Sequence, residues 1–168
     1  MIRFRIFYIV VFTLISSFSF SQNKSILFEG FNNNNNKWTT ISNSSADIRV
    51  SGGDYIIDHK RSSGAYTGTL YKYIDTKRNF RISANIKKVN GSKSGGYGLV
   101  FGRKDGSNQN YFLLTADGSY RISKSEGGSL SVSKDWTKSS KIKKGNGASN
   151  TISVKQVGNN LEYYINSS

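Results

Sequence analysis

Apolar and polar residues alternate with a period of two through much of this chain. The clearest case is residues 80–87, where Phe80, Ile82, Ala84 and Ile86 fall on one face and Arg81, Ser83, Asn85 and Lys87 on the other. That is the pattern of a half-buried strand. The same reading predicts strands over 26–31, 48–50, 55–59, 66–74, 97–102, 110–115, 119–124, 151–157 and 161–166. Turn signals divide them. Ser51-Gly52-Gly53-Asp54 joins the second and third. Ala116-Asp117-Gly118 and Gly158-Asn159-Asn160 each join a later pair, with the residue types that tight primed turns require. The run Asn32–Asn36 reads as a flexible loop. No segment sustains a helical period, and glycine recurs too often for long helices. Many short strands at roughly 8–12-residue spacing predict an all-β, antiparallel β-sandwich.

Two strands carry more than their share of information. In 161–166, Leu161, Tyr163 and Ile165 share a face and are expected in the core, which turns Tyr164 and Glu162 the other way. In 110–115, Phe112 and Leu114 share one face while Tyr111, Leu113 and Thr115 share the other. A strand apolar on both sides is either covered on both or borders a groove. Tyr111, with Arg121 on the neighbouring strand, is the expected groove, and Tyr164 joins them as a third candidate sugar contact. Sugar rings stack on aromatic faces through their apolar C–H edges, and tyrosine adds a polar handle.

The first residues follow a different rule. Arg3 and Arg5 precede the apolar run 6–15, and small polar residues follow to Ser21. This is the three-part pattern of a secretory signal peptide, with cleavage expected before Gln22. The apolar run is shorter than the roughly 20 residues of a membrane span. The expected organisation is a signal peptide over 1–21 and one β-sandwich domain over 22–168. The protein is then secreted, or held at the cell surface or in the periplasm.

Composition narrows the chemistry. There is no cysteine among 168 residues, so a secreted domain of this kind rests on its core alone. The formal charge is +14, a field that favours polyanions. Charge concentrates in 134–144, where Lys134, Lys138, Lys141, Lys143 and Lys144 surround Trp136 in an expected loop. Lysines bind phosphate or sulfate as point charges. For an exported protein the expected polyanion is an acidic glycan or another cell-envelope component, not nucleic acid. Trp136, Lys138, Lys141, Lys143 and Lys144 are its candidate contacts.

Catalysis is not expected. Glycoside hydrolysis needs two carboxylates flanking one bond; jelly-roll glycosidases of the laminarinase type set them at alternate positions of one strand, and no two acids here stand at i and i+2. His59 is the only histidine, which makes a zinc site uncommon. The segment 105–110 (Asp-Gly-Ser-Asn-Gln-Asn) offers oxygens to calcium but lacks the acidic density of a strong site. No cofactor is expected.

The order of motifs from 96 onward carries a resemblance. Gly96-Tyr97-Gly98-Leu99-Val100-Phe101-Gly102 is followed by Asn110-Tyr111-Phe112-Leu113-Leu114, then Asp117-Gly118-Ser119-Tyr120-Arg121-Ile122-Ser123-Lys124. Asp135-Trp136-Thr137, the segment 147–154 and Tyr164-Ile165-Asn166 complete it. With Phe28-Glu29-Gly30-Phe31 and Trp38 near the start, the chain resembles a bacterial extracytoplasmic jelly-roll module of the concanavalin A-like, laminin-G-like class. The resemblance implies two curved antiparallel sheets with a concave face that often meets sugar, in a non-catalytic, secreted or surface carbohydrate-binding module. The alternative it leaves open is a structural or adhesive envelope domain with no small ligand. Such modules continue past the Tyr-Ile-Asn strand, so the domain is expected to be C-terminally incomplete, lacking its final strands.

Overall fold

The computed structural model describes residues 27–65, 67–70, 72 and 74–167. The signal-peptide expectation lies outside the described residues. Ten strands follow in order: β1 Ile41–Ser42, β2 Ala46–Ser51, β3 Asp54–His59, β4 Phe80–Lys87, β5 Tyr97–Asp105, β6 Asn108–Leu114, β7 Ser119–Glu126, β8 Ser129–Lys138, β9 Ser149–Val157 and β10 Asn160–Ile165. They form three antiparallel sheets, in the orders β1-β2-β3, β10-β9-β4 and β5-β6-β7-β8. Among the described residues there is no helix, and none long and apolar enough to cross a membrane. The all-β class read from the alternation is the class of the fold.

The second and third sheets face each other across the main core. Phe101, Phe112 and Leu114 come from one; Ile152, Val154 and Ile165 come from the other. Ile142, from the segment after β8, joins them. Ile82, Ile86, Tyr97, Leu99, Tyr120, Ile122 and Tyr163 pack against this cluster. The Tyr163 ring meets Phe112 edge-on at 5.2 Å and Phe101 at 6.4 Å, the geometry aromatic quadrupoles favour. β4 buries its residues in strict alternation, as its sequence requires.

The N-terminal region is organised differently from the expected first strand. Residues 27–31 form no strand, and Phe28 is 90% exposed. The Glu29 carboxylate instead accepts hydrogen bonds from Phe31 N at 2.8 Å, Asn36 Nδ2 at 2.7 Å and Trp38 Nε1 at 2.9 Å. A side chain that satisfies its own neighbours' donors competes with strand pairing. The asparagine run is likewise a bonded turn: Asn34 accepts from Trp38 N at 2.7 Å and donates to Trp38 O at 3.0 Å. The loop is stapled to β3 by rings, with Phe31 stacked on Tyr55 at 5.7 Å and Trp38 against Tyr55 at 4.9 Å.

These bonds, led by that from Phe31 N, hold the Glu29 carboxyl below its ordinary value of 4.5. A depressed carboxylate stabilises the fold above its unfolded pKa and loses that contribution as pH falls through the lower folded value. Acid titration of Trp38 fluorescence, in a Trp136→Phe background, should therefore show a transition below pH 4.5 that disappears in Glu29→Gln. Identical curves for the two proteins would remove Glu29 as the cause.

Three further expectations are corrected. The described residues within 66–74 lie in no strand; Tyr66, Tyr71 and Tyr73 lie outside the described residues. Residues 134–138 are not loop but the end of β8, an almost wholly exposed edge strand. Its polar composition hid it, because an edge strand with little buried surface needs little apolar patterning. Leu161 shares the inner face of β10 but is 40% exposed, since it lies at the end of the strand beyond the reach of the core.

Candidate functional site

Strand register fixes which side chains share the outer face of the four-stranded sheet. Gly98 pairs with Leu113, and Leu113 with Arg121. Val100 pairs with Tyr111, Tyr111 with Ser123, and Ser123 with Val132. Residues directly opposite share a face. Tyr111, Leu113 and Arg121 therefore stand together opposite the core, while Phe112, Leu114 and Ile122 point inward. Tyr111 and Leu113 are half-buried, and Val132 and Trp136 are each 40% exposed. The face is open to solvent and largely apolar.

Trp136 completes it. A register irregularity between β7 and β8 falls between Tyr120 and Ile122, and such irregularities re-aim side chains. The Arg121 guanidinium carbon lies 5.8 Å from the centre of the Trp136 ring. The far edge of the indole reaches the chain entering β5: a Cβ added to Gly96 would stand 3.1 Å from Trp136 Cη2 and 3.6 Å from Leu113 Cδ1. β5 and β8 are opposite edges of the sheet, about 14 Å apart if it were flat. The Trp136 side chain therefore spans this face from β8 to the chain entering β5. Gly96 and Gly98 leave this edge of the face free of side chains.

The charges here are mostly paired. Arg121 Nε lies 3.4 Å from Asp135 Oδ1, and Lys138 Nζ lies 3.2 Å from Asp117 Oδ1. The Tyr111 hydroxyl accepts a hydrogen bond from Gln109 Nε2 at 2.6 Å, which orients the phenol along the sheet. The Asp117 carboxyl is held below its ordinary value, first by the Thr115 hydroxyl and then by Lys138. The face is an aromatic and amide surface whose Arg121 and Lys138 are ion-paired.

The sequence-predicted sugar contacts do not form one set. Arg121 stands directly opposite Leu113, two residue pairs along the ladder from Tyr111, and its guanidinium turns to Trp136. Tyr164 is on β10, in the other sheet, with its side chain opposite in sense to the core residues Tyr163 and Ile165. Its face therefore points away from that of Tyr111. There the Tyr164 hydroxyl donates to Glu162 Oε2 at 2.5 Å, which lowers the carboxyl and raises the phenol from their ordinary values. Arg81 lies 5.8 Å over the Tyr164 ring.

The predicted polyanion set also separates. Trp136 belongs to the Tyr111 face and Lys138 to its ion pair with Asp117. Lys144 lays its stem along Gly118, where an added Cβ would meet Lys144 Cε at 2.6 Å. Lys143 N donates to Asn150 Oδ1 at 2.8 Å, and Lys141 O accepts from Asn166 Nδ2 at 2.7 Å. The contribution of Trp136 to the Tyr111 face was missed by assigning it to a loop; the alternation Ser129-Leu130-Ser131-Val132-Ser133 just before it was the available sign of a strand.

Oxygen-rich loops and acids have local roles. Asp105 Oδ1 accepts from Ser107 N at 2.8 Å and Asn108 Nδ2 at 2.9 Å. Among the described residues, no group of three or more His, Cys, Asp or Glu side chains could hold a metal. The fold does set Asp47 opposite Asp58, but Asp47 is bonded to Arg49 at 2.6 Å.

No family model, curated protein or solved structure matches this chain.

Proposed function

We propose that this protein is a secreted or cell-surface, non-catalytic module of the concanavalin A-like kind that binds carbohydrate on the face formed by Trp136, Leu113, Arg121 and Tyr111. The observation that carries this reading is the placement of Trp136. An exposed indole reaching a glycine edge, with a tyrosine on the same face, suits a sugar ring: its C–H edges meet the aromatics and its hydroxyls meet Gln109 and Arg121. Because Arg121 and Lys138 are ion-paired, the surface favours a neutral glycan over an acidic one.

Calorimetric titration against neutral oligosaccharides tests this. Trp136→Ala should weaken binding roughly tenfold, the order expected for one aromatic contact. Tyr111→Ala should weaken it by a smaller factor, with a melting temperature close to that of the parent. Binding should be nearly independent of salt, since screening acts on exposed charges. Binding restricted to acidic glycans and lost with salt would transfer the function to the free lysines after β8. Unfolding of Tyr111→Ala without a separable loss of binding would make that residue structural.

A further inference from the structure

We propose that the free edge of β10 is a dimerisation surface that pairs, antiparallel, with β10 of a second copy of this chain. β10 is an outer strand of its sheet, and among the described residues no strand pairs with its other edge. Protected sheet edges carry charge, bulges or proline. β5 has an irregularity between Phe101 and Asp105 that contains Arg103 and Lys104. β8 has two register shifts and carries Lys134 and Lys138. β4 carries Arg81 and Lys87. β10 has none of these devices: its register against β9 is unbroken, and Glu162 is its only charge.

The register against β9 determines how a copy would fit. Asn166 N donates to Thr151 O, and alternate residues of an antiparallel strand direct their backbone groups to the same side. Asn160, Glu162 and Tyr164 therefore bond inward to β9. Leu161, Tyr163 and Ile165 direct their N–H and C=O groups to the open edge. The overlap using all three sets Tyr163 against its symmetry mate and Leu161 against Ile165 of the copy. On the other face it sets Glu162 against Tyr164, a carboxylate against a phenol, so the two Glu162 residues do not meet. Within one chain these two groups already bond to each other. A shift of one pair in one direction would oppose Glu162 to itself.

The apolar side also matches. Beside the edge lies a cleft of about 320 Å³ lined by Phe112, Tyr120, Ile122, Tyr163 and Ile165, with Lys141 among its polar lining. In this register the copy places its Leu161, 40% exposed in the single chain, next to Ile165 and the cleft. The net charge of +14 opposes association at long range, so the dimer is a salt-favoured one.

Sedimentation velocity on the purified chain, over a range of concentrations and salt, tests this. The expected result is a monomer–dimer equilibrium that shifts toward dimer at roughly 1 M salt, where the Debye length is about 3 Å. On dimerisation the Leu161, Tyr163 and Ile165 amides should gain protection from hydrogen exchange. Leu161→Pro removes an N–H that faces the open edge and takes no ladder bond from β9; it should weaken the dimer at least tenfold and leave the monomer folded. Should that variant unfold, Leu161→Lys places a charge on the edge and should give the same loss. A monomer at every concentration and salt would overturn the proposal. So would a dimer that a folded edge variant leaves unchanged.

Discussion

Gly98→Ala should destabilise this protein by about 3 kcal/mol or more, at the upper end of what overpacking does. Gly98 lies on β5 opposite Leu113. A Cβ built there would stand 2.3 Å from Phe112 O and 2.9 Å from Leu113 Cα. Both are backbone atoms of the paired strand, so no rotamer change relieves the clash; β5 must move away from β6. β5 holds Phe101 in the core and Tyr97 and Leu99 against it, and each large apolar side chain withdrawn costs roughly 1.5–3 kcal/mol. Gly106, at the tip of the same hairpin, is the control: the nearest atom to its added Cβ is the flexible end of Arg103 at 4.0 Å. Urea denaturation followed by near-ultraviolet circular dichroism should show a large fall in midpoint for Gly98→Ala and little change for Gly106→Ala. Equal midpoints would mean that β5 and β6 accommodate the methyl group and that Gly98 has no special place in the sheet.

The value of a period-two pattern depended on how much each strand buries. β4 was legible because one face meets the core and the other meets water, so Phe80, Ile82, Ala84 and Ile86 had to alternate with polar residues. The hairpin β9–β10 was legible because Gly158-Asn159 supplies a backbone that few other pairs adopt, with Gly158 at a φ of 58°. β8 was hidden because an edge strand can be built from serine and lysine. Residues 26–31 misled because an apolar, alternating run was read without its acid: the side chain of Glu29 takes donors from three residues nearby, which favours a turn. The candidate site followed the same division. Tyr111 and Arg121 were found on one face because register within a hairpin is local. The separation of Tyr164 from that face and the presence of Trp136 on it were not legible, because each required knowing which sheet, and which face, a distant strand joins.

Asn150→Ala should cost roughly 2–4 kcal/mol, although the residue carries no charge and touches no candidate ligand surface. Its side chain is 0% exposed. Oδ1 accepts from Lys143 N at 2.8 Å and from Asn166 Nδ2 at 2.9 Å, and Nδ2 donates to Lys143 O at 3.0 Å. Asn166 in turn donates to Lys141 O at 2.7 Å and accepts from Thr151 N at 2.9 Å. Two asparagines thus clamp residues 141–143 onto the start of β9 and the end of β10. That clamp seats Ile142, 3% exposed, in the main core. Alanine removes three part-buried hydrogen bonds at once, each worth about 1 kcal/mol net. Net stability of a domain is only about 5–15 kcal/mol, so the expected loss is a large fraction of the whole. Asn150→Asp keeps the acceptor but loses the donor and adds a buried charge, and should be at least as damaging. Ile142→Ala supplies the comparison: if the clamp acts by seating Ile142, the double variant should lose less than the sum of the single losses in urea denaturation. Additive losses would separate the two residues, and a loss below about 0.5 kcal/mol for Asn150→Ala, the level of an ordinary surface change, would show that water takes over the bonds of Lys143.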